Sequence, residues 1–103
     1  FLDIRSGSPT YGKYGSIKLS EDNKKIIWIP PGFAHGFHSL EDHTTVLYRC
    51  TSHYNKEKES GINLFDKNLK INLTIDKKHV IMSNKDLNAQ SFESYSKNKK
   101  FKF

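Results

Sequence analysis

The run Trp28-Ile29-Pro30-Pro31-Gly32-Phe33-Ala34-His35-Gly36-Phe37 holds the densest concentration of residues able to do chemistry. A rigid Pro-Pro-Gly turn leads into an extended segment, where alternation puts Phe33, His35 and Phe37 on one face and Ala34, Gly36 and His38 on the other. His35 thus shares a face with aromatic rings, and an imidazole placed there needs a hydrogen-bonding partner. Two readings fit the residue type: a satisfied core histidine, or a pocket residue beside small Ala34 and Gly36, which let neighbouring strands approach. In the next run, residues 44–51, alternation groups Val46, Tyr48 and Cys50. An inward tyrosine is either a structural phenol with its hydroxyl bonded or, aimed into a pocket, a general acid.

The spacing Pro30-x-Gly32-x-x-His35 resembles the second motif of the cupin superfamily, whose members often bind a metal through that histidine. His35 and His38 face opposite ways, His43 sits in a turn, and no carboxylate falls at ligand spacing. A self-contained metal site is therefore not expected.

The elements that must position these groups are short and β-forming. Turn signals recur at Ser6-Gly7-Ser8-Pro9, Gly15-Ser16, Glu21-Asp22-Asn23, Pro30-Pro31-Gly32, Glu41-Asp42 and Asn55-Lys56. Between them, residues 11–19, 26–29, 34–40 and 44–51 read as strands. A helix start is read only at Ser83, where an acid three residues on, Asp86, resembles a capping box. This pattern predicts an all-β sandwich or small barrel of jelly-roll type with a short helix after residue 83. Five or six strands are too few to close such a roll, so further strands or a second subunit must cover the sheet edges.

Composition narrows the function classes. The chain has 103 residues, 35% hydrophobic and 13% aromatic, which fits one small domain with a thin core. It opens on Phe1-Leu2-Asp3-Ile4-Arg5, as though a strand had been entered midway, and reads as a portion of a longer protein. The formal charge of +6 gathers largely at Lys97, Lys99, Lys100 and Lys102, which points away from nucleic acid. Residues 91–103 read as a solvated, disordered basic tail following a domain over 1–90. Cys50 is the single cysteine and no apolar run is long enough to span a membrane, so a reducing cytoplasm is expected. Asn72-Leu73-Thr74 spells a glycosylation triplet that nothing else in the sequence supports.

Read end to end, the pieces resemble one family. They are Asp3-Ile4-Arg5-x-Gly7-Ser8-Pro9-Thr10-Tyr11-Gly12-Lys13, Leu19-Ser20-x-x-Asn23-Lys24 and the Trp28 to Phe37 run, then Leu47-Tyr48, Tyr54, Glu59-x-Gly61-Ile62, Asp66-x-x-Leu69-x-Ile71 and Ser83-x-Lys85-Asp86. In order and spacing, about residues 2 to 88 are similar to dTDP-4-dehydrorhamnose 3,5-epimerases. The resemblance implies a homodimeric cupin jelly roll, without metal or organic cofactor, that inverts C5 and then C3 of a dTDP-bound 4-keto-6-deoxy sugar. Its product feeds dTDP-L-rhamnose synthesis. The base in that family is a histidine in an Arg-Gly-Leu-His segment without counterpart in this chain, so the chain alone is expected to be inactive and to fold poorly.

By the same resemblance Tyr48 is the acid and Asp86 the aspartate that orients the base. His35, Glu59 and Lys85 are substrate contacts, and Tyr54 stacks on thymine. Tyr48 and His35 are then expected to open into one cavity between two sheets. The chain departs from the family pattern at Lys67 and at Asn72-Leu73, which leaves the register of Lys85 and Asp86 less firmly fixed than that of His35 and Tyr48. The competing readings are an epimerase of a single carbon, a non-catalytic sugar-nucleotide-binding cupin, and a metal-dependent cupin.

Overall fold

A computed structural model describes residues 1–72 and 77–103, so Leu73 and Thr74 of the glycosylation triplet lie outside the described residues. The chain's first six residues anchor both of its small sheets. Strand β1 (Leu2–Asp3) pairs antiparallel with β3 (Phe33–Ala34), with Leu2 opposite Ala34 and Asp3 opposite Phe33. Strand β2 (Arg5–Ser6) pairs in parallel with β4 (Phe101–Lys102), with Arg5 opposite Phe101 and Ser6 opposite Lys102. Two short helices follow late in the chain, α1 (Asn84–Leu87) and α2 (Phe92–Lys97). Short paired strands with few helices are compatible with an all-β class.

Alternation splits the opening segment into an apolar and a polar side. Leu2 and Ile4 turn inward to meet Leu69 and Tyr95, with Tyr11, Ala34, Ile62, Ile71 and Phe92 packed around them. The polar side is also closed. Asp3 is only 1% exposed, and its carboxylate accepts from the Arg5 amide (3.0 Å), Arg5 Nε (2.9 Å) and Nη2 (2.8 Å), Ser8 Oγ (2.5 Å) and Thr10 Oγ1 (2.6 Å). The Asp3 backbone receives Gly12 N (2.9 Å) and donates to Lys13 O (3.0 Å), which folds residues 5–13 back over the carboxylate. The bonded Arg5 guanidinium holds the Asp3 carboxyl well below the usual carboxylate range; burial opposes this, and the Ser8 and Thr10 hydroxyls assist it.

Arg5 carries that anchor outward. Its guanidinium lies over the Phe33 ring at 4.5 Å and the Phe103 ring at 4.8 Å, so one side chain is held between the β3 segment and the C-terminus. Gly32 sits at φ +87°, and a methyl group there would collide with Cγ and Cδ of Arg5. Both the backbone conformation and the close approach require glycine at this position.

Residues 91–103 do not stand off in solvent as their lysines and serines suggest. Ser91 caps α2, its hydroxyl accepting from Ser94 N at 3.0 Å, with Glu93 in the first turn and Lys97 in the last, a favourable order for the helix dipole. Phe92 and Tyr95, three apart, fall on the face turned to the core. Phe92 meets the Tyr11 ring at 5.3 Å, while Tyr95 Oη donates to Ile4 O at 2.9 Å. Lys97 pairs with Glu93 at 3.1 Å and Lys99 lies over the Tyr11 ring at 4.8 Å, so two of the tail's charges are engaged. A composition-based reading misses this because four aromatic residues at the right spacings, not the average polarity, decide whether the segment docks.

The middle of the chain differs from expectation in the other direction. Of the four runs read as strands, only Ala34 lies within one of the described strands. Ile26 is 96% exposed, Trp28 70%, Phe37 74% and Leu47 89%, so the apolar residues that should line a barrel face solvent. A strand needs a ladder partner and a covered face, and apart from β3 the segment 17–54 has no strand partner among the described residues. The helix read at Ser83 does form, with Ser83 Oγ accepting from Asp86 N at 3.1 Å.

Two outcomes follow for the anchor. A carboxyl whose pKa is depressed by folding contributes stability above its unfolded value of about 3.9, and that contribution fades as pH falls below it toward the folded value. In amide exchange at Ile4 and Gly12, wild type should be better protected than Asp3→Asn at pH 7, with the difference shrinking below about pH 4. Tyr95→Phe leaves the buried Ile4 carbonyl without its donor and should lower the opening free energy of these amides by about 1–3 kcal/mol.

Candidate functional site

Two of the expected site residues, Tyr54 and Lys85, converge on the carboxylate of a third, Glu59. Asn55 caps a 3₁₀ turn over Lys56–Lys58, its side chain accepting from Glu57 N at 3.0 Å. The turn reverses the chain just enough to bring Tyr54, which precedes it, onto Glu59, which follows, and Tyr54 Oη donates to Glu59 Oε2 at 2.8 Å. Beyond Glu59 the chain runs beside the segment after α1. Ile62 bridges Gln90 in parallel, Asn63 N donates to Gln90 O at 2.8 Å, and Gln90 Nε2 donates to Ser60 Oγ at 2.9 Å. That seam sets α1 against Glu59, and Lys85 on its first turn forms an ion pair with Glu59 Oε1.

The charges respond to one another. The hydrogen bond from Lys85, followed by that from Tyr54, pulls the Glu59 carboxyl below its ordinary value. The same carboxylate raises the Lys85 ammonium, keeping it charged, and raises the Tyr54 phenol, keeping it protonated. Tyr54 remains 75% exposed, so its ring stays open to solvent beside a cationic group. A phenol ring next to an ammonium suits a ligand that joins a flat ring to an anion.

The remaining expected residues stand elsewhere. Asp86 follows Lys85 but turns back on the helix cap, accepting from Ser83 Oγ at 2.6 Å. His35 is exposed just past β3, and Tyr48 is 77% exposed in the middle segment. The expected common cavity of Tyr48 and His35 is not formed in this structure. A cavity of about 440 Å³ lies instead among Asn63, Phe65, Asp66, Met82 and Leu87, with neither Tyr48 nor His35 in its wall. The missing geometry has the same cause as the missing strands, because inward and outward are defined only once a sheet has a second layer. Among the described residues, no three His, Cys, Asp or Glu side chains are grouped closely enough to hold a metal ion. Nor is any helix among them long and apolar enough to cross a membrane.

The groups held around Asp3 were quoted in the motif but not singled out by residue type. The available signal was an acid followed by Arg at two, Ser at five and Thr at seven positions on, all able to donate to it.

A family comparison matches residues 1–94 to the dTDP-4-dehydrorhamnose 3,5-epimerase model. Among curated proteins, the chain is 42% identical over 91 residues to a dTDP-4-dehydrorhamnose 3,5-epimerase from Shigella flexneri, covering 88% of this chain and 49% of that one. It is 38% identical over 93 residues to the Mycobacterium tuberculosis protein of the same name, covering 89% and 46%. For the Methanothermobacter thermautotrophicus protein, likewise so named, the figures are 40% over 88 residues, 84% and 48%. No solved structure matches the chain. Tyr54, Glu59 and Lys85 all lie within the matched residues. The chain belongs to the dTDP-4-dehydrorhamnose 3,5-epimerase family and spans about half the length of the curated relatives it matches.

The ion pair at Glu59 has a direct readout. Lys85→Met removes the first cause of the depressed carboxyl, so a carbon-13 NMR titration should find the Glu59 midpoint moved up toward the ordinary value of about 4.3.

Proposed function

We propose that this chain acts as the acid-bearing, nucleotide-contacting half of a dTDP-4-dehydro-6-deoxy-D-glucose 3,5-epimerase serving dTDP-L-rhamnose synthesis. The observation that carries the reading is the family match over residues 1–94 at about 40% identity to proteins of that name. Its chemistry follows from the C4 ketone. Protons on C3 and C5, beside the carbonyl, are acidic enough for a general base to remove them. Inversion requires a proton to be returned from the opposite face, so an acid and a base must flank the sugar ring.

Tyr48 is the proposed acid, since a phenol with a reference pKa of about 10 keeps its proton at neutral pH. Asp86 is proposed to orient and stabilise the imidazole of a base carried on the half that this chain does not span. Tyr54 would stack on the thymine ring, Lys85 would meet the diphosphate as a point charge, His35 would hydrogen-bond sugar or phosphate oxygens, and Glu59 would be a further substrate contact. The convergence of Tyr54, Glu59 and Lys85 supports the nucleotide side of this reading. The exposed apolar residues of 17–54 support the rest, because they suit a sheet face awaiting its complement. The completed molecule is proposed to be a cytoplasmic homodimer with a cupin jelly roll, using no metal or organic cofactor.

Proton NMR in deuterated water tests this directly. Incubated with dTDP-4-dehydro-6-deoxy-D-glucose, the chain alone should leave C3 and C5 unlabelled. Mixed with the complementary half of the Shigella flexneri relative, it should place one deuteron on each carbon, and Tyr48→Phe should slow this by about a hundredfold or more. Labelling of one carbon would instead mark a single-site epimerase. Nucleotide binding without labelling would mark a non-catalytic binder.

A further inference from the structure

Residues 95–103 lie past the region matched to the family, and their bonds take no part in the site described above. In an extended strand the N–H and C=O of successive residues point to opposite edges, so β2 has two edges to satisfy. One is closed locally. Arg5 N donates to Asp3 Oδ1 at 3.0 Å and Arg5 O accepts from Ser8 N at 3.2 Å, so the loop over the Asp3 carboxylate uses up that side. The other edge faces residues 95–103. There β4 pairs with β2, Phe103 N donates to Ser6 O at 3.0 Å, Ser6 Oγ donates to Phe101 O at 3.0 Å, and the Tyr95 hydroxyl donates to Ile4 O. Side chains fix the same segment, since Tyr11 Oη and Ser96 Oγ share a hydrogen bond of 2.8 Å and the Phe103 ring covers one face of the Arg5 guanidinium.

We propose that residues 95–103 act as a tethered strap that closes the free edge of β2 and keeps a second copy of this chain from pairing there. Without the strap, the carbonyls of Ile4 and Ser6 would stand open on a strand whose single charge, Arg5, is already matched by Asp3. A nearly neutral open edge is a template for another strand, and a second copy carries an identical one. The strap exchanges that edge for a guarded one. Lys97 pairs with Glu93 and Lys99 lies over Tyr11, but Lys100 and Lys102 meet no acidic side chain among the described residues. On an edge strand such lysines repel a further strand, above all one from a chain of net charge +6. Tethering also favours the strap on concentration alone. A segment joined by a short linker competes at an effective concentration on the order of 1 mM, about a hundredfold above a second copy at about 10 µM.

The test reads position 6 itself, so association through other surfaces does not score. In a Cys50→Ser background, Ser6→Cys with Lys102→Cys puts thiols on residues that face each other in the β2–β4 register. Oxidised with glutathione disulfide at that chain concentration, the full chain should form the bond within one molecule, giving a monomer of raised mobility on a non-reducing gel. Bonds between molecules, or none, overturn the strap. Ser6→Cys alone in the same background reads the bare edge. Deleting residues 98–103, which spares α2, should speed the coupling of two copies through position 6 about tenfold or more over the full chain. A peptide of residues 98–103 added at about 1 mM should slow it again. Phe103→Pro removes the N–H given to Ser6 O and the ring on Arg5, should shift the coupling the same way, and decides the matter where the deletion abolishes Ile4 amide protection. Equal coupling with and without an intact strap overturns the proposal, even where the chain associates through the exposed side chains of residues 17–54.

Discussion

A carboxylate that is 1% exposed cannot be left without donors, and meeting that demand at Asp3 organises the buried part of this protein. Arg5 and the hydroxyls of Ser8 and Thr10 close around it, and the chain between them is forced into a tight loop. With its head bound to Asp3, Arg5 presents a fixed cationic plane to Phe33 on one side and Phe103 on the other. Strand β3 and the C-terminus are therefore both tied to residues 3–5. The Tyr95 hydroxyl on Ile4 O adds a second tie to the same segment from the apolar side. Removing the charge from Asp3 would loosen elements separated by most of the sequence.

Around that anchor the protein divides by how much each segment can satisfy within itself. The opening residues, the stretch around Ile62 to Ile71 and the C-terminal helix bury one another's apolar groups. Apart from β3, residues 17–54 largely do not, and Ile26, Trp28, Phe37 and Leu47 remain exposed. Buried apolar area is the main favourable term in folding, so the middle segment gains little from any fixed conformation until another surface covers it. The site residues follow the same division. Tyr54, Glu59 and Lys85 meet because a turn and a short parallel seam, both local to this chain, place them. His35 and Tyr48 lie in the middle segment, where both are exposed.

Electrostatics reinforces the contrast. At Asp3 burial and pairing act together on a group shut away from water, so its charge is coupled to the fold. At Glu59 the same kind of pairing occurs at the surface, where solvent screens it. There the bonds set direction and spacing for side chains that must stay accessible, and contribute little to holding the fold together.

The order of motifs from Asp3 to Asp86 was enough to place the chain in its family, and the helix start at Ser83 was legible because a cap needs only residues a few positions apart. The strand runs were legible as patterns of alternation, yet alternation states only that two faces differ and leaves open what covers them. Docking of residues 91–103 was hidden, because the partners of Tyr95 and Phe103 lie some ninety residues earlier and the local composition argues for solvent. Sequence by itself thus determined family, turn positions and which side chains are able to do chemistry. The tertiary structure alone decided that Asp3 is buried, that Glu59 gathers Tyr54 and Lys85, and that His35 and Tyr48 are exposed. Bonds between distant residues form only when the segments between them return to the same place, and that return depends on packing energy summed over the whole chain.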